Sequence, residues 1–279
     1  MNQATACETA LVASDYKSGL KPVWCPGCGD YSVLQALTKA MASLALKPED
    51  VAVISGIGCS SRIPAYTSTY GFHGVHGRSL ALSTGLKVAR PDLTVICTGG
   101  DGDGFSIGGN HFIHACRRNV DITYIVMDNQ VYGMTKGQAS PTTDPFWDSA
   151  LTPGGTGISP FHPLVIALAS GANFLARAFS GDPKGTAAMI EEAITHPGFS
   201  FVQILSPCVT YRPDQKDWRN KVRTAPVEAT SDPARAARRL MTDDGFNTGV
   251  LFRGEREPFK LNQKNDSTET YDFTSRFEV

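Results

Sequence analysis

Between residues 20 and 206, short and nearly unbroken apolar runs alternate with stretches whose apolar residues recur at helical spacing. The apolar runs predict buried strands at 51–55, 93–98, 122–128 and 199–206, and an extended segment at 173–180. The other stretches predict helices at 31–46, 79–90, 108–118, 163–170 and 185–195. This alternation is typical of an α/β fold, in which a doubly wound, mostly parallel sheet carries helices on both faces.

The same pattern divides the chain into three parts. Residues 1–20 predict an extended N-terminal arm, and residues 21–210 contain the strands and helices of the α/β domain. Beyond residue 210 the alternation fades into a polar, charged segment with short apolar pieces. We therefore expect residues 211–279 to form a C-terminal extension that lies on the surface or on a partner subunit.

Composition narrows the class of protein. The 279 residues carry a net charge of −1, which does not indicate binding to nucleic acid or to an anionic membrane. No apolar run approaches the roughly 18 residues of a membrane span, and the N-terminus does not have the pattern of a secretory signal. Seven cysteines are an odd number, which favours free or metal-bound thiols in a reducing cytoplasm over a set of disulfides.

Polar or thiol side chains follow four of the predicted strands. Cys59 follows the first strand, Asp101 the second, Asn129 the third and Cys208 the last. Open α/β sheets bind their ligands at the edge where the carboxyl ends of parallel strands meet. We therefore expect these four side chains to converge on one edge of the sheet, which is the candidate site.

The segment TGGDGDG (98–104) has the chemistry of a diphosphate and metal site. Its glycines leave backbone N–H groups accessible to phosphate oxygens. The Asp101 carboxylate, the Asn129 amide oxygen and the Val131 carbonyl could supply three ligands of an octahedral Mg²⁺, with phosphate oxygens and water as the others. For this segment alone, the alternative is a glycine-rich turn in which Asp101 caps the following helix.

The segment WCPGCGD (24–30) places Cys25 and Cys28 at the spacing of a metal or redox motif. With Cys59 and Cys208 they make four thiolates, the number that a [4Fe–4S] cluster or a structural zinc takes. A redox disulfide between Cys25 and Cys28 is the third alternative. Spacing leaves all three open, although two single cysteines at distant strand ends favour the cluster.

In combination, the motifs resemble a known family. GDGD followed by Asn one helix and one strand later resembles the thiamine diphosphate (TPP) motif. The match extends through WCPGCGDYSVLQAL, SGIGCSSRIPAY, GFHGVHGRSLALSTGLKVARPD and DNQVYGMTKGQASPT. About residues 17–223 resemble the β subunit of a two-subunit 2-oxoacid:ferredoxin oxidoreductase, with the 2-oxoglutarate type nearest. The resemblance implies a TPP-binding fold of the pyrophosphate type.

The resemblance also implies which positions hold cofactors. One [4Fe–4S] cluster would be held by Cys25, Cys28, Cys59 and Cys208. Mg²⁺ would be held, together with TPP, by Asp101, Asn129 and Val131. The predicted contacts of the bound TPP are Ile57, Gly58, Cys59, Ser60, His76, Gly77, Gly100, Asp101, Gly102, Asp103, Asn129, Val131, Tyr132 and Gly133.

Cationic and imidazole side chains near these motifs are candidates for substrate binding. His76 could donate to a developing oxyanion, and Arg78 could bind a phosphate or a carboxylate. We take His76 and Arg78 as candidate catalytic residues, and Arg62, Arg78 and Lys136 as candidates for binding a substrate carboxylate. For each cation the alternative is an ordinary surface role, which for Arg78 is a cation beside a helix.

The family implies oxidative decarboxylation of a 2-oxoacid, with coenzyme A taking the acyl group and ferredoxin taking the electrons. We expect 2-oxoglutarate as the substrate and succinyl-CoA as the product, with pyruvate or another 2-oxoacid as the alternative. In the family an α subunit supplies the glutamate that activates TPP, so we expect a dimer of αβ dimers that is active only when assembled. A zinc-stabilised scaffold and a non-redox TPP enzyme are the alternatives from other classes.

Overall fold

The predicted strands lie side by side in one sheet of eight strands in the computed structural model, which describes residues 11–225 and 228–260. The strands are β1 (Val51–Ser55), β2 (Tyr70–His73), β3 (Thr94–Gly100), β4 (Thr123–Asp128), β5 (Phe174–Phe179), β6 (Ser200–Leu205), β7 (Arg223–Thr224) and β8 (Asn247–Arg253). Their order is β2-β1-β3-β4-β6-β5-β8-β7. Every neighbouring pair is parallel except β5 and β8. The prediction of a mostly parallel sheet is confirmed.

Helices connect most of the strands. They are α1 (Asp30–Ser43), α2 (Ser79–Ala89), α3 (Asp101–Phe105), α4 (Gly109–Arg118), α5 (Pro163–Ala169), α6 (Pro183–Thr195), α7 (Trp218–Lys221) and α8 (Pro233–Met241). Short 3₁₀ helices cover Pro48–Asp50, Ser60–Tyr66 and Pro213–Asp217. Within the described ranges, the model contains no helix with the length and apolar character that a membrane crossing requires.

Both faces of the sheet are covered. On one face α1 packs against α6, and Leu37 and Ile190 join a core that includes Ile125 of β4. On the other face α2, α4, α5 and α8 contribute to a second core, in which Phe112 contacts Phe201. Because neither face meets water, β1, β4 and β6 are buried at every position, which explains their unbroken apolar runs.

The chain beyond residue 210 differs from the surface extension that the sequence predicts. Strand β8 returns to the main sheet and pairs antiparallel with β5. Helix α8 inserts Ala236 and Leu240 into the second core, next to Phe252 of β8. Only two residues of α8 are buried, and three arginines make PARAARRLM polar on average, so this helix does not stand out as an apolar segment of the sequence. Residues 261–279 lie outside the described ranges.

The predicted N-terminal arm is described only from residue 11 onward. Its Tyr16 is fully buried and donates its hydroxyl hydrogen to the Leu46 carbonyl at 2.5 Å. The backbone of Lys17 forms an isolated antiparallel β-bridge with that of Thr67. This part of the arm is therefore packed against the α/β domain.

The sheet has a topological switch point beside β1. The chain continues from β1 to β2 on one side, whereas β3 and β4 follow on the other side. Ser55 of β1 lies opposite Thr98 of β3, and Gly100 lies opposite Met127 of β4. The carboxyl ends of β1, β3 and β4 are therefore adjacent, in the position where open α/β sheets leave a binding crevice.

Asp243 and Asp244, which lie shortly before β8, allow a matched test of how much this segment stabilises the sheet. Asp243 forms an ion pair with Arg177 of β5, and both side chains are buried. The neighbouring Asp244 pairs with Arg223, and both are about half exposed. Asp243→Ala should lower the free energy of unfolding by about 3–5 kcal/mol because it leaves a buried charge unpaired. Asp244→Ala should lower it by about 1 kcal/mol or less. Denaturant titration of both variants checks this, and equal losses would contradict it.

Candidate active site at the sheet edge

A cavity of about 580 Å³ opens at the carboxyl ends of β1, β3 and β4. Its lining residues are Asp30, Ile57, Gly58, Cys59, Ser60, His76, Gly100, Asp101, Gly102, Asp103, Met127, Asn129, Val131, Tyr132, Gly133, Met134, Thr135 and Gln138. All the predicted TPP contacts are among them except Gly77, whose backbone N–H donates to Asp103 at 2.7 Å. The strand-end rule identifies three of the lining residues, Cys59, Asp101 and Asn129, and the other predicted contacts follow from the family resemblance.

Asp101 is the first residue of α3 and is buried. Its Oδ2 accepts hydrogen bonds from Ser140 Oγ and, at 2.9 Å, from Thr142 Oγ1. Thr142 Oγ1 also lies 2.8 Å from Oδ1 of Asp128. Burial raises the pKa of Asp101 to about 7, and the negative charge of Asp128 adds to this effect. A divalent cation beside Asp101 would offset both negative charges.

Asp128 is also held by a side chain of the neighbouring strand β6. Its Oδ2 accepts a hydrogen bond from Gln203 Nε2 at 2.7 Å, and burial raises its pKa. Gln203 Oε1 in turn accepts from Arg177 Nε at 3.0 Å, and Arg177 pairs with Asp243. A buried polar chain thus runs from the cavity across β4, β6 and β5 to the residues before β8.

Asn129 and Val131 line the same cavity as Asp101. Asn129 Oδ1 accepts a hydrogen bond from the Val131 N–H at 3.1 Å, which folds the loop after β4 back on itself. Between them, Gln130 has a φ of 54°, in the left-handed region. Carboxylate, amide and carbonyl oxygens are the hard donors that Mg²⁺ takes, so the predicted set fits a magnesium diphosphate.

His76 is oriented by a buried carboxylate. Its Nδ1 lies 2.9 Å from Asp103 Oδ1, which also accepts backbone hydrogen bonds from Ile57 at 2.9 Å and Gly77 at 2.7 Å. With Nδ1 engaged in this way, Nε2 is the free ring nitrogen of a side chain that lines the cavity. Gly77 has a φ of 69°, and a Cβ there would lie 2.6 Å from the Gly108 nitrogen, so this turn requires glycine.

The predicted cluster ligands converge beside the same cavity. The Cys28 N–H donates to the Cys25 carbonyl at 3.0 Å, in a turn made possible by Gly27, whose φ is 83°. A Cβ on Gly133 would lie 3.7 Å from Cys208 Sγ and 3.8 Å from Cys59 Sγ. The loop after β4 therefore passes directly beside two of the four thiols.

The four thiols share one electrostatic environment. Burial raises the pKa of Cys28, and the charges of Asp30, Cys59 and Cys208 raise it further. Burial likewise raises the pKa of Cys59 to about 11, with contributions from Asp30, Cys208 and Cys25. Bare thiolates at Cys28 and Cys59 are therefore unfavourable, whereas bound iron would stabilise them, because a coordinated thiol is deprotonated.

The thiols are free in the described part of the chain, where no cysteine is in a disulfide. As placed, no three His, Cys, Asp or Glu side chains within residues 11–225 and 228–260 are close enough to hold a single metal ion. Cys97 and Cys116 are buried in the core, and Cys7 lies outside the described ranges.

None of the candidate substrate cations is among the lining residues of this cavity. Arg78 Nη1 donates to the carbonyls of Gly77 and Ile107, both at 3.3 Å. Arg62 is exposed, and its positive charge acts to lower the pKa of Cys59, against the larger opposite effect of burial. Lys136 has a φ of 80° and lines a different cavity, of about 720 Å³.

The structure adds site residues that the sequence analysis does not name. Ser140 and Thr142 bind Asp101, and Gln203 binds Asp128. Their signals in the sequence are weak: a polar segment, GQASPTT, and one glutamine inside the apolar run FVQIL. Two further residues, Asp30 and Gln215, are also buried beside the site.

Asp30 and Gln215 connect the thiol loops to the rest of the site. Asp30 accepts a hydrogen bond from Ser206 Oγ at 3.1 Å, and burial raises its pKa to about 6. Gln215 Oε1 accepts from the Cys208 N–H at 2.9 Å, while its Nε2 donates to the Asn129 carbonyl at 2.7 Å. One buried amide thus joins the loop of the last cysteine to the predicted magnesium loop.

Comparison with known proteins agrees with this geometry. Residues 56–204, more than half of the chain, match the model of the family described as thiamine pyrophosphate enzyme, C-terminal TPP binding domain. The matched range includes Cys59, Asp101 and Asn129, and it excludes Cys25 and Cys28 as well as Cys208.

Similar full-length proteins extend the match beyond that domain. The chain is 46% identical over 194 residues to the 2-oxoglutarate oxidoreductase subunit KorB of Mycobacterium tuberculosis, covering 70% of this chain and 52%, about half, of that relative. It is 38% identical over 263 residues to the 2-oxoacid:ferredoxin oxidoreductase 2 subunit beta of Aeropyrum pernix, covering 88% of this chain and 85% of that protein.

A solved structure shows the same fold. It is the 2-oxoglutarate:ferredoxin oxidoreductase from Magnetococcus marinus with 2-oxoglutarate, coenzyme A and succinyl-CoA bound. The TM-score is 0.86 at 42% identity, and the match covers 89% of this chain and 87% of that one. Together with the TPP-enzyme domain, these similarities confirm the resemblance of the motifs: the chain belongs to the β subunits of the 2-oxoacid:ferredoxin oxidoreductase family.

Proposed function

We propose that this chain binds TPP, Mg²⁺ and one [4Fe–4S] cluster, and that it oxidatively decarboxylates 2-oxoglutarate to succinyl-CoA together with an α subunit, passing electrons to ferredoxin. One observation carries the proposal. The loop that lines the Asp101 cavity with Asn129 also passes beside Cys59 and Cys208 at Gly133. TPP anchored through Asp101 and Asn129 would therefore lie next to a cluster bound by Cys59 and Cys208.

When bound, TPP supplies the electron sink for decarboxylation, and the cluster accepts single electrons. Asp101, Asn129 and the Val131 carbonyl would hold the magnesium that anchors the diphosphate. Tyr132 donates its hydroxyl hydrogen to the Gly102 carbonyl at 3.1 Å, and a Cβ on Gly102 would collide with the Tyr132 ring. This contact fixes the glycine-rich turn against the loop after β4.

His76 is the proposed proton-handling group. Asp103 holds its Nδ1, so that Nε2 can donate to, or accept from, an oxygen of the substrate in the cavity. Asp103 then acts as a positioning residue, because the same oxygen also accepts hydrogen bonds from the backbone N–H groups of Ile57 and Gly77. Arg78, Arg62 and Lys136 are proposed to attract the substrate carboxylates.

The α subunit is proposed to complete this site. No glutamate is among the described lining residues, and the lining carboxylates Asp30, Asp101 and Asp103 already bind groups of this chain. Apolar side chains are exposed near the cavity mouth, among them Ile57, Val75 and Ile107. Exposed apolar side chains of this kind fit a subunit interface, and the pairing of two αβ units would follow the family.

Iron analysis tests the cluster. Anaerobically purified protein with both subunits should contain about four iron and four sulfide per β chain and no zinc. Cys59→Ser should lose most of this iron because it removes one ligand. The control is Cys116→Ala, which removes a buried core thiol away from the site and should retain the iron. Zinc in place of iron would support the scaffold alternative.

The metal site can be tested by TPP binding. Asp101→Asn should weaken magnesium-dependent binding of TPP by at least about 100-fold, because it removes a charged ligand. Isothermal titration with TPP at several Mg²⁺ concentrations measures this, and the iron content should be unchanged. The control Asp92→Asn alters an exposed carboxylate that pairs with Arg90. Unchanged affinity in Asp101→Asn would refute the assignment.

Substrate choice is tested by comparing kcat/KM for two substrates. The assembled enzyme should prefer 2-oxoglutarate over pyruvate by at least about tenfold, because only 2-oxoglutarate carries a second carboxylate. Lys136→Ala should reduce this preference, whereas Lys184→Ala, an exposed lysine on α6, should leave it unchanged. A preference for pyruvate would contradict the proposed substrate, and turnover by the β chain alone would contradict the need for an α subunit.

A further inference from the structure

We propose that an acidic one-electron carrier protein docks over a second cavity, which is lined by Cys28, Lys216 and Arg219. This inference rests on the proposed function, since it names the surface through which electrons leave the cluster. The second cavity measures about 420 Å³, and its other lining residues are Gly27, Gly29, Ser32, Phe179, Ser180, Gly181, Pro207 and Gln215. We call the surface around it the exit face.

Two of the four thiols line two different cavities. Cys59 lines the 580 Å³ cavity of the TPP site, and Cys28 lines the exit-face cavity. Each of these two thiols lines only one of the two cavities. A cluster held by the four cysteines would therefore have the organic cofactor on one side and the exit face on the other.

Residues 214–219 carry both cations and carboxylates, and the two kinds of charge line different cavities. Lys216 and Arg219 are exposed, and the structure gives neither of them an ion pair with a described carboxylate. Asp214 and Asp217 belong to the same segment, yet they line a different cavity of about 630 Å³. Asp214 is also paired there with Arg212 at 2.9 Å. The exit face thus presents two cations, while the carboxylates of the segment face elsewhere.

Buried contacts hold these cations in place. Gln215 is fully buried and binds both the Cys208 N–H and the Asn129 carbonyl. Trp218 is also buried and contacts the Phe246 ring at 6.0 Å between centroids. Lys216 and Arg219 each follow one of these anchors directly, so their backbone positions are fixed relative to the thiol loop.

This arrangement suits a negatively charged protein partner. Unpaired cations next to the point of electron transfer raise the association rate of an acidic carrier, and salt screens this effect beyond about 8–10 Å. Oxidation of one 2-oxoacid anion with one coenzyme A thiol gives acyl-CoA and CO₂ and releases two electrons and one proton, and the proton goes to solvent. Two carrier molecules would each take one electron at the exit face, which returns the cluster to its oxidised state.

The test uses the assembled enzyme and two electron acceptors. Lys216→Glu combined with Arg219→Glu should raise KM for a purified acidic ferredoxin at least about tenfold at low salt, and should flatten the salt dependence of kcat/KM. Reduction of methyl viologen, a small dication that needs no docking surface, should be unchanged or faster. The milder pair Lys216→Gln and Arg219→Gln should give a smaller rise in KM.

A matched control separates docking from net charge. Arg235 and Arg238 on α8 are exposed and have the same spacing, so Arg235→Glu with Arg238→Glu makes the same charge change elsewhere. This control should leave KM for ferredoxin within about twofold of the unaltered enzyme.

Three outcomes would overturn the docking proposal. They are an unchanged KM for ferredoxin, an equal rise in the α8 control, and an effect confined to KM for coenzyme A or to α subunit assembly. The last result would show that the exit face serves another anion or the partner subunit. Absence of methyl viologen reduction in the unaltered enzyme would instead contradict the proposed function itself.

Discussion

The Thr142 hydroxyl lies between the buried carboxylates of Asp101 and Asp128, and the candidate site depends on how the two negative charges are balanced. Its single hydrogen can be donated to Asp101 or to Asp128, but not to both at once. The pair therefore calls for additional positive charge, from a proton or from a cation in the cavity. The buried chain through Gln203 and Arg177 stabilises the Asp128 side, which leaves Asp101 as the carboxylate that faces the cavity.

Hydrogen bonds and close packing connect the cysteine-containing loops to the loop after β4, which lines the same cavity as Asp101. Gln215 binds the loop of Cys208 and the loop of Asn129 with the two ends of one amide. Gly133 brings the second loop against Cys59 as well. The predicted diphosphate site and the predicted cluster ligands are thus held at a fixed distance from each other. The hydrogen bonds of Gln215 and the lack of a side chain at Gly133 are responsible.

Local rules in the sequence identify part of the candidate cavity wall. Cys59, Asp101 and Asn129 are identifiable because parallel strands end at a common edge and the residues that follow them are unusual. The supporting chain from Gln203 to Asp243 is not identifiable in this way. It depends on the pairing of β6 with β4 and β5, and this order does not follow from hydrophobic periodicity. Strand β8 and helix α8 are missed because their apolar stripes are short.

The return of β8 to the sheet also bears on synthesis of the chain. Until β8 arrives, β5 is an open edge with unpaired backbone groups, and Arg177 has no carboxylate partner within the completed part of the sheet. A ribosome releases the N-terminal part of a chain first, and a domain generally folds as a unit. The nascent chain therefore carries an incomplete sheet with an exposed β5 edge until the residues of β8 have been synthesised.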